Sequence, residues 1–185
     1  PYLRDEETFA RPWAIPGTPN LMHRIGGIEK KDGTGNIDYT AENHERMTRL
    51  RAAKIDAVAA DIPPTVIEGD EDADLLVLGW GSTWAAIDAA VQRTRRAGHK
   101  VAKTHIVHLN PLPPDLGDIL GRYQKVLVPE LNTGQLTNVL RAKFLVDASV
   151  LTKVQGLPFL AREVEDGITD ALATISPSNK TEVAS

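Results

Sequence analysis

The chain has 185 residues, of which 42% are hydrophobic and 25% are charged, the composition of a folded globular domain with an extension. Its formal net charge of -4 argues against a nucleic-acid or acidic-lipid partner, because both require a basic surface. The chain has no cysteine, so it cannot hold an iron–sulfur cluster through thiolates or form a disulfide, and no apolar run approaches the roughly 20 residues that span a bilayer. These features predict a protein of a reducing, cytoplasmic compartment that binds neither nucleic acid nor membrane.

Residues 1–64 are rich in proline, glycine and charge, which predicts an extension rather than a compact α/β domain. Three prolines exclude a helix from residue 11 to residue 20. Turn residues between 25–29 and 35–39 predict a short hairpin. Thr40 is the predicted N-cap of a helix that runs to about residue 60 and ends before the prolines that follow. Since the first residue is not methionine, we expect a processed or truncated polypeptide.

From Thr65 to residue 175 the pattern changes to alternating strands and helices. The predicted strands are 74–80, 100–109 and 124–129, with one or two short strands in 145–154. The predicted helices are 84–97, 116–122, 133–142 and 158–173. This alternation predicts an α/β domain with an open, mainly parallel sheet, right-handed crossovers and helices on both faces. The polar residues 176–185 are predicted to form a disordered tail.

The loop after the first predicted strand reads Gly79-Trp80-Gly81-Ser82-Thr83 and leads into a helix. Phosphate-binding loops occur at this position, because a helix N-terminus offers free N–H groups. However, Trp84 stands where a dinucleotide-binding loop has its third glycine, and no lysine follows as in a Walker loop. Ser82 and Thr83 are therefore ligand candidates whose simpler interpretation is helix capping.

The loop after the third predicted strand contains Glu130, Asn132 and Gln135. Ligands of open α/β sheets bind at the carboxyl ends of strands, so these side chains could face a ligand or another subunit. Equally, the loop could be a turn in which Asn132 or Thr133 caps the helix and Glu130 balances its N-terminus.

The histidines do not predict a metal site. His105 and His108 are three residues apart on a predicted strand, so their side chains would point to opposite faces. His23 precedes Arg24 in a loop that could face an anion, although a solvated loop is the favoured interpretation. We find no pattern of a catalytic nucleophile or a carboxylate pair and predict no catalytic residue.

Eight strings in order along the chain carry a family resemblance. They are Pro1-Tyr2-x-Arg4-Asp5, Arg11-Pro12-Trp13-Ala14-x-Pro16-Gly17, His23-Arg24-Ile25-Gly26-Gly27-x-Glu29-Lys30, Asp32-Gly33-Thr34-Gly35-Asn36, Gly79-Trp80-Gly81-Ser82-Thr83, Leu109-Asn110-Pro111-Leu112-Pro113, Pro129-Glu130-Leu131-Asn132-x-Gly134-Gln135-Leu136 and Gln155-Gly156-Leu157-Pro158-Phe159. Together they resemble the carboxy-terminal part of the alpha subunit of 2-oxoacid:ferredoxin oxidoreductases, most closely the 2-oxoglutarate enzyme, also called 2-oxoglutarate synthase.

The resemblance implies a fold similar to the transketolase C-terminal domain for residues 65–175, and the end of a pyrimidine-binding domain with its linker for 1–64. It implies oxidative decarboxylation of a 2-oxoacid to an acyl-coenzyme A, with electrons passed to ferredoxin. Thiamine diphosphate, magnesium and an iron–sulfur cluster would serve the complete enzyme. The family's Tyr-Pro-x-Thr-Pro and Arg-Gly-Gly-Pro-Ser motifs do not occur here, so we expect this segment to bind no cofactor and to be inactive alone.

The implied partners are the beta subunit and the upstream part of the alpha subunit, with Trp13, Trp80 and Trp84 as candidate docking contacts. Core packing is the simpler role for Trp80. Two alternatives remain open. One is a stand-alone nucleotide- or coenzyme A-binding domain, and the other is the same domain of a pyruvate or branched-chain 2-oxoacid enzyme.

Overall fold

A computed structural model describes residues 1–70 and 72–175. Contacts divide the chain into two units, the first formed by Pro1–Ile62 with Asn110–Leu112, and the second by Pro63–Leu109 and the chain from Pro113 onward. The predicted tail lies outside the described residues. Within the described part, no helix combines the length and apolar character needed to cross a bilayer.

The first unit contains one α-helix, α1 (Ala41–Ala57), which continues as a 3₁₀ turn over Val58–Asp61. The Thr40 hydroxyl accepts the N–H of Asn43 at 3.4 Å, which confirms the predicted N-cap. The predicted hairpin is reduced to a single antiparallel bridge between Lys30 and Ile37. The buried Asn43 amide donates to the carbonyls of Lys30 and Asp38, at 3.3 and 3.2 Å, and so fastens the helix to this bridge.

The second unit is a five-stranded sheet with helices on both faces. Its strands are β1 (Ile67–Gly69), β2 (Leu75–Trp80), β3 (Val101–Ile106), β4 (Lys125–Glu130) and β5 (Ala148–Thr152). Its helices are α2 (Trp84–Arg96), α3 (Leu116–Leu120), α4 (Gln135–Phe144) and α5 (Ala161–Ala173), with a 3₁₀ turn at Gly81–Thr83.

The strand order is β1-β3-β2-β4-β5, and only β1 runs antiparallel to its neighbour. This confirms the predicted open, mainly parallel α/β fold. Strand β1 is not predictable from the sequence, because three residues that end in Glu68 and Gly69 carry no apolar run. Asp115 secures the entry to this strand, since its carboxylate accepts both the N–H and the hydroxyl of Thr65, at 2.8 and 2.7 Å.

The core lies on both faces of the sheet because β2, β3 and β4 are buried on both sides. On one face, α2 and α5 pack on each other and on the sheet. The fully buried residues of the core on this face include Leu75, Val77, Val91 and Ile168. Leu76 and Leu78 alternate with these residues and therefore point to the other face, where α4 contacts β4 and β5.

Two helices begin later than the sequence predicts. The helix predicted from 158 begins at Ala161, because Leu160 is extended and the Glu163 carboxylate accepts its N–H at 2.7 Å. The helix predicted from 133 begins at Gln135, because Gly134 is left-handed with a φ of 97°. Both shifts are set by how side chains satisfy the free N–H groups of a first turn.

Candidate functional site

The candidate site is the carboxyl edge of the sheet between β2 and β4. The chain leaves β2 toward α2 on one face and leaves β4 toward α4 on the other face. Loops that diverge in this way open a crevice, where ligands of doubly wound sheets bind. Five of the six predicted site residues belong to these two loops, namely Ser82, Thr83, Glu130, Asn132 and Gln135.

The loop after β2 closes on itself. The Thr83 hydroxyl accepts the N–H of Trp80 at 3.2 Å and donates to the Trp80 carbonyl at 2.8 Å. Thr83 is buried and makes no side-chain bond to the first turn of α2, but its hydroxyl caps the 3₁₀ turn at Gly81–Thr83 that leads into this helix. Ser82 is exposed. The loop therefore presents one hydroxyl to the outside and uses the other internally.

Gly79 lets α2 lie close to the end of β2. A Cβ at this position would lie 2.7 Å from the Ile87 Cδ1 and 2.8 Å from the His105 Nδ1. Neither distance is compatible with normal packing. The glycine is thus required by packing, which accounts for it without a bound phosphate.

Beneath this loop lie two buried nitrogens without hydrogen-bond partners in the described chain, the Trp80 Nε1 and the His105 Nδ1. Burial is the main cause that lowers the pKa of His105. A hydrogen bond with the backbone of Gly81 raises this pKa, while the nearby positive charge of Lys103 lowers it further. The sequence pattern relates His105 only to a metal site, which it does not predict. No group of three or more His, Asp or Glu side chains in the described residues could hold a metal ion.

The loop after β4 is organised by Glu130, whose side chain is fully buried. Its carboxylate accepts the N–H of Leu136 at 3.0 Å and both the N–H and the hydroxyl of Thr137, at 2.9 and 2.7 Å. Asn132 acts beside it, since its Oδ1 accepts the N–H groups of Gly134 and Gln135 at 2.7 and 3.0 Å. The N–H groups at the start of α4 are therefore already bonded within the chain.

This arrangement decides what the start of α4 can bind. A phosphate at a helix N-terminus needs free N–H groups and a site without a competing anion. Here a carboxylate of the chain already occupies that place. The geometry matches the capping interpretation of Glu130 and Asn132, while the side chain of Gln135 remains exposed.

Arg24 belongs to the first unit. Its side chain is exposed, and its carbonyl accepts a hydrogen bond from the Tyr2 hydroxyl. The side chain of Arg24 is thus available to a partner.

Lys103, on β3, is a buried charge that the sequence analysis did not single out. Its Nζ lies 2.9 Å from carboxylate oxygens of both Glu68 and Asp88, and 5.7 Å from the centre of the Trp84 ring. Burial alone would lower the pKa of Lys103, but hydrogen bonds to Asp88 and Glu68 outweigh it and raise the pKa. The cluster ties β1 and α2 to the sheet and leaves no free base for chemistry.

Comparison with known proteins gives relatives along nearly the whole chain, although no family model matches it. The chain is 52% identical over 174 residues to the 2-oxoglutarate oxidoreductase subunit KorA of Mycobacterium tuberculosis, covering 94% of this chain and 26% of that subunit. It is 30% identical over 178 residues to subunit alpha of 2-oxoacid:ferredoxin oxidoreductase 1 of Aeropyrum pernix, covering 91% of this chain and 27% of that subunit.

A solved structure agrees with these relatives. The 2-oxoglutarate:ferredoxin oxidoreductase from Magnetococcus marinus, with 2-oxoglutarate, coenzyme A and succinyl-CoA bound, has a TM-score of 0.82 at 33% identity, over 92% of this chain and 30% of that one. The chain spans about a quarter of the length of the curated relatives it matches. These similarities confirm the resemblance drawn from the ordered sequence strings.

Proposed function

Since this chain is homologous along nearly its whole length to about a quarter of the alpha subunit of 2-oxoacid:ferredoxin oxidoreductases, we propose that it forms the carboxy-terminal structural and assembly part of such a subunit. The complete enzyme would oxidatively decarboxylate 2-oxoglutarate to succinyl-CoA and reduce ferredoxin. Residues 1–64 would be the end of the preceding domain with its linker, and 65–175 the terminal α/β domain.

The identity of 52% over 94% of the chain carries this proposal. The chemistry of the described residues supports an assembly role. The polar groups at the sheet edge bond to one another, Lys103 is held in ion pairs, and Glu130 is held at a helix N-terminus. These groups build the edge of a sheet rather than a reacting centre.

The cofactors implied by the family do not fit this segment. An iron–sulfur cluster needs thiolate ligands, and the sequence has no cysteine. The diphosphate of thiamine diphosphate needs free N–H groups or cations, while the first turn of α4 is already occupied by Glu130 and Asn132. We therefore place thiamine diphosphate, magnesium and the cluster elsewhere in the complete enzyme.

The proposed partners are the beta subunit and the upstream part of the alpha subunit, in the cytoplasm. Coenzyme A, the 2-oxoacid and ferredoxin would interact with the whole enzyme. Ser82, Asn132, Gln135 and Arg24 are the predicted side chains that remain at least partly exposed for contact with a subunit or ligand.

Native mass by light scattering tests the assembly role. The chain, the beta subunit and their mixture are measured separately, and a mixture that elutes as one heavier species supports the proposal. If the mixture shows only the two separate masses, the full-length parent chain is mixed with the beta subunit. A parent that neither binds the beta subunit nor supports ferredoxin reduction would refute the proposal.

Ligand binding tests the alternative of a stand-alone coenzyme A-binding domain, and substrate preference tests the alternative of an enzyme for another 2-oxoacid. Calorimetric titration of the isolated chain with coenzyme A is expected to give no binding heat, because the start of α4 has no free anion site. Saturable binding would favour a stand-alone coenzyme A domain. Assays of the complete enzyme with 2-oxoglutarate, pyruvate and a branched-chain 2-oxoacid then decide the substrate, with 2-oxoglutarate expected to be preferred.

A further inference from the structure

The segment from Arg11 to Ile25, here called the apolar segment, exposes an unusual amount of hydrophobic surface. Trp13 is 96% exposed, Ile15 71%, Met22 100% and Ile25 87%. Scattered exposed apolar residues are normal on a protein surface, but several large ones within fifteen residues of sequence favour an interaction site. Trp and Met are also among the residue types enriched in protein interfaces.

The apolar segment has defined turns although it has no helix or strand. The N–H and the hydroxyl of Thr18 both bond to the Ile15 carbonyl, at 3.2 and 2.8 Å, and the Leu21 N–H bonds to the Thr18 carbonyl at 3.3 Å. Prolines within the segment restrict its backbone further. A segment held in this way loses little conformational entropy when a partner covers it, so its apolar surface is suited to docking.

Arg11 adds a charge whose guanidinium lies 5.4 Å from the centre of the Tyr2 ring but leaves two nitrogens without a hydrogen bond. Its Nε and Nη2 are shielded from solvent and donate to no carboxylate or carbonyl in the described chain. Burial and the neighbouring charge of Arg4 lower the pKa of Arg11. A cavity of about 500 Å³ beside it is lined by Leu3, Ala10 and Pro12 together with Arg4, Asp5 and Thr8. A partner that supplies an apolar side chain and a carboxylate would complement this place.

We propose that the apolar segment is the docking surface for the part of the alpha subunit that lies outside this chain. The inference rests on the proposed function. This chain accounts for only 26% of one relative's alpha subunit and 30% of the matching chain in a solved structure, so most of the polypeptide would be joined to it covalently. Covalent connection gives the rest of the alpha subunit a high effective concentration at the apolar segment. The rest of the subunit therefore covers this surface before a separate subunit can bind there.

The test uses the absence of cysteine. Met22→Cys places a single thiol on the apolar segment, and Arg49→Cys places one at an exposed position on α1 of the same unit. Each variant is made in this chain and in the full-length parent subunit, and maleimide labelling is followed by peptide mass spectrometry. In the parent alone, labelling at 22 is expected to slow by about tenfold or more relative to this chain, while labelling at 49 changes little.

Three other outcomes would overturn the inference, and each shows whether and by what the apolar segment is covered. Equal labelling at 22 in both proteins means that the rest of the subunit does not cover the segment. Protection that requires added beta subunit assigns the surface to that subunit, and protection that disappears on dilution assigns it to a second copy. The proposed function is judged separately, because a parent that reduces no ferredoxin with its beta subunit would refute that function whatever the labelling shows.

Discussion

Glu130 shows how one side chain determines what a loop can bind. It stands where β4 ends, a position that favours ligand contact in α/β sheets. Its carboxylate turns inward and accepts three hydrogen bonds at the start of α4. The favourable interaction of an anion with a helix N-terminus is thus used inside the domain, for stability.

Replacing Glu130 with glutamine is expected to lower the free energy of unfolding by about 2 to 3 kcal/mol, because a neutral amide loses charge-assisted bonds and turns an NH₂ toward N–H donors. Urea denaturation of the isolated chain measures the change. Gln135→Ala, on the exposed side of the same turn, is the matched control and should change stability by less than about 0.5 kcal/mol. Equal losses in the two variants would contradict a buried capping role.

His105 predicts a pH dependence of stability. Its pKa is lowered in the folded state, mainly by burial, so the unfolded chain binds this proton more readily. Stability should therefore fall as the pH drops below the ordinary histidine value. Between about pH 7.5 and pH 5.5, the free energy of unfolding should decrease less in His105→Gln than in the native chain. Parallel losses in both proteins would show that other groups are responsible.

The position of the candidate residues could be predicted from the sequence, but their orientation could not. The apolar run of β2 and the turn residues after β4 placed Thr83 and Glu130 at the sheet edge. Whether a carboxylate faces outward or caps its own helix depends on side-chain torsions that spacing does not specify. The unpartnered nitrogens of Trp80 and His105 were missed for the same reason, since burial of single atoms leaves no sequence pattern.

At the scale of elements, the edge strand β1 depends on glycine. Gly69 has a φ of +122°, and a Cβ there would lie 2.5 Å from the Val101 carbonyl oxygen and 2.9 Å from the Ala102 Cα. Both are backbone atoms of the neighbouring strand and cannot move aside by changing a rotamer. The strand can therefore pair with β3 only because position 69 has no side chain.

Gly69→Ala is expected to lower the free energy of unfolding by about 2 to 4 kcal/mol, because alanine would combine an unfavourable φ with overlap of its Cβ on backbone atoms of β3. Gly98→Ala is the matched control, because Gly98 has a φ of +94° but open space around its Cα, so about 1 kcal/mol of strain is expected. Urea denaturation compares the two, and amide exchange should quicken at β1 only in the first. Similar losses of unfolding free energy in both variants would mean that the positive φ, rather than contact with β3, is the reason that position 69 requires glycine.

The central elements were predictable because buried parallel strands carry continuous apolar runs and their helices have clear caps. The helix start at Thr40 and the strand over 75–80 are examples. The elements that were missed or displaced are short. β1 has three residues, the hairpin is one bridge, and α4 begins after a left-handed Gly134. Local sequence carries little information on pairing when so few residues take part.

At the scale of the whole molecule, the two units differ in how much core each possesses. The first has Met47, Ile62 and Leu112 as its buried large hydrophobic residues among the described residues, whereas the second encloses both faces of a sheet. A unit of about sixty residues with so little buried apolar surface is marginal by itself. It was the family strings, rather than the hydrophobic pattern, that led us to propose a larger subunit around this region.

A fragment of residues 63–185 is therefore expected to unfold in one cooperative transition, while a fragment of residues 1–62 should melt gradually. Circular dichroism during heating measures both, with the intact chain as reference. A sharp transition in the shorter fragment would show that its salt bridges, such as Arg4–Asp32 at 3.0 Å, stabilise it more than its small core suggests.

The strand order also has a consequence for the order in which the sheet is completed during synthesis. β2 is central, β3 is made next and pairs on one side, and β4 and then β5 extend the other side. Each of these strands meets a neighbour that already exists. β1 is the exception, since it leaves the ribosome first yet must wait for β3, and its Thr65 must wait for Asp115, fifty residues later. The strand made earliest is thus fixed only after the chain has reached Asp115, and until then the outer side of β3 stays open to a chaperone or to a neighbouring nascent chain.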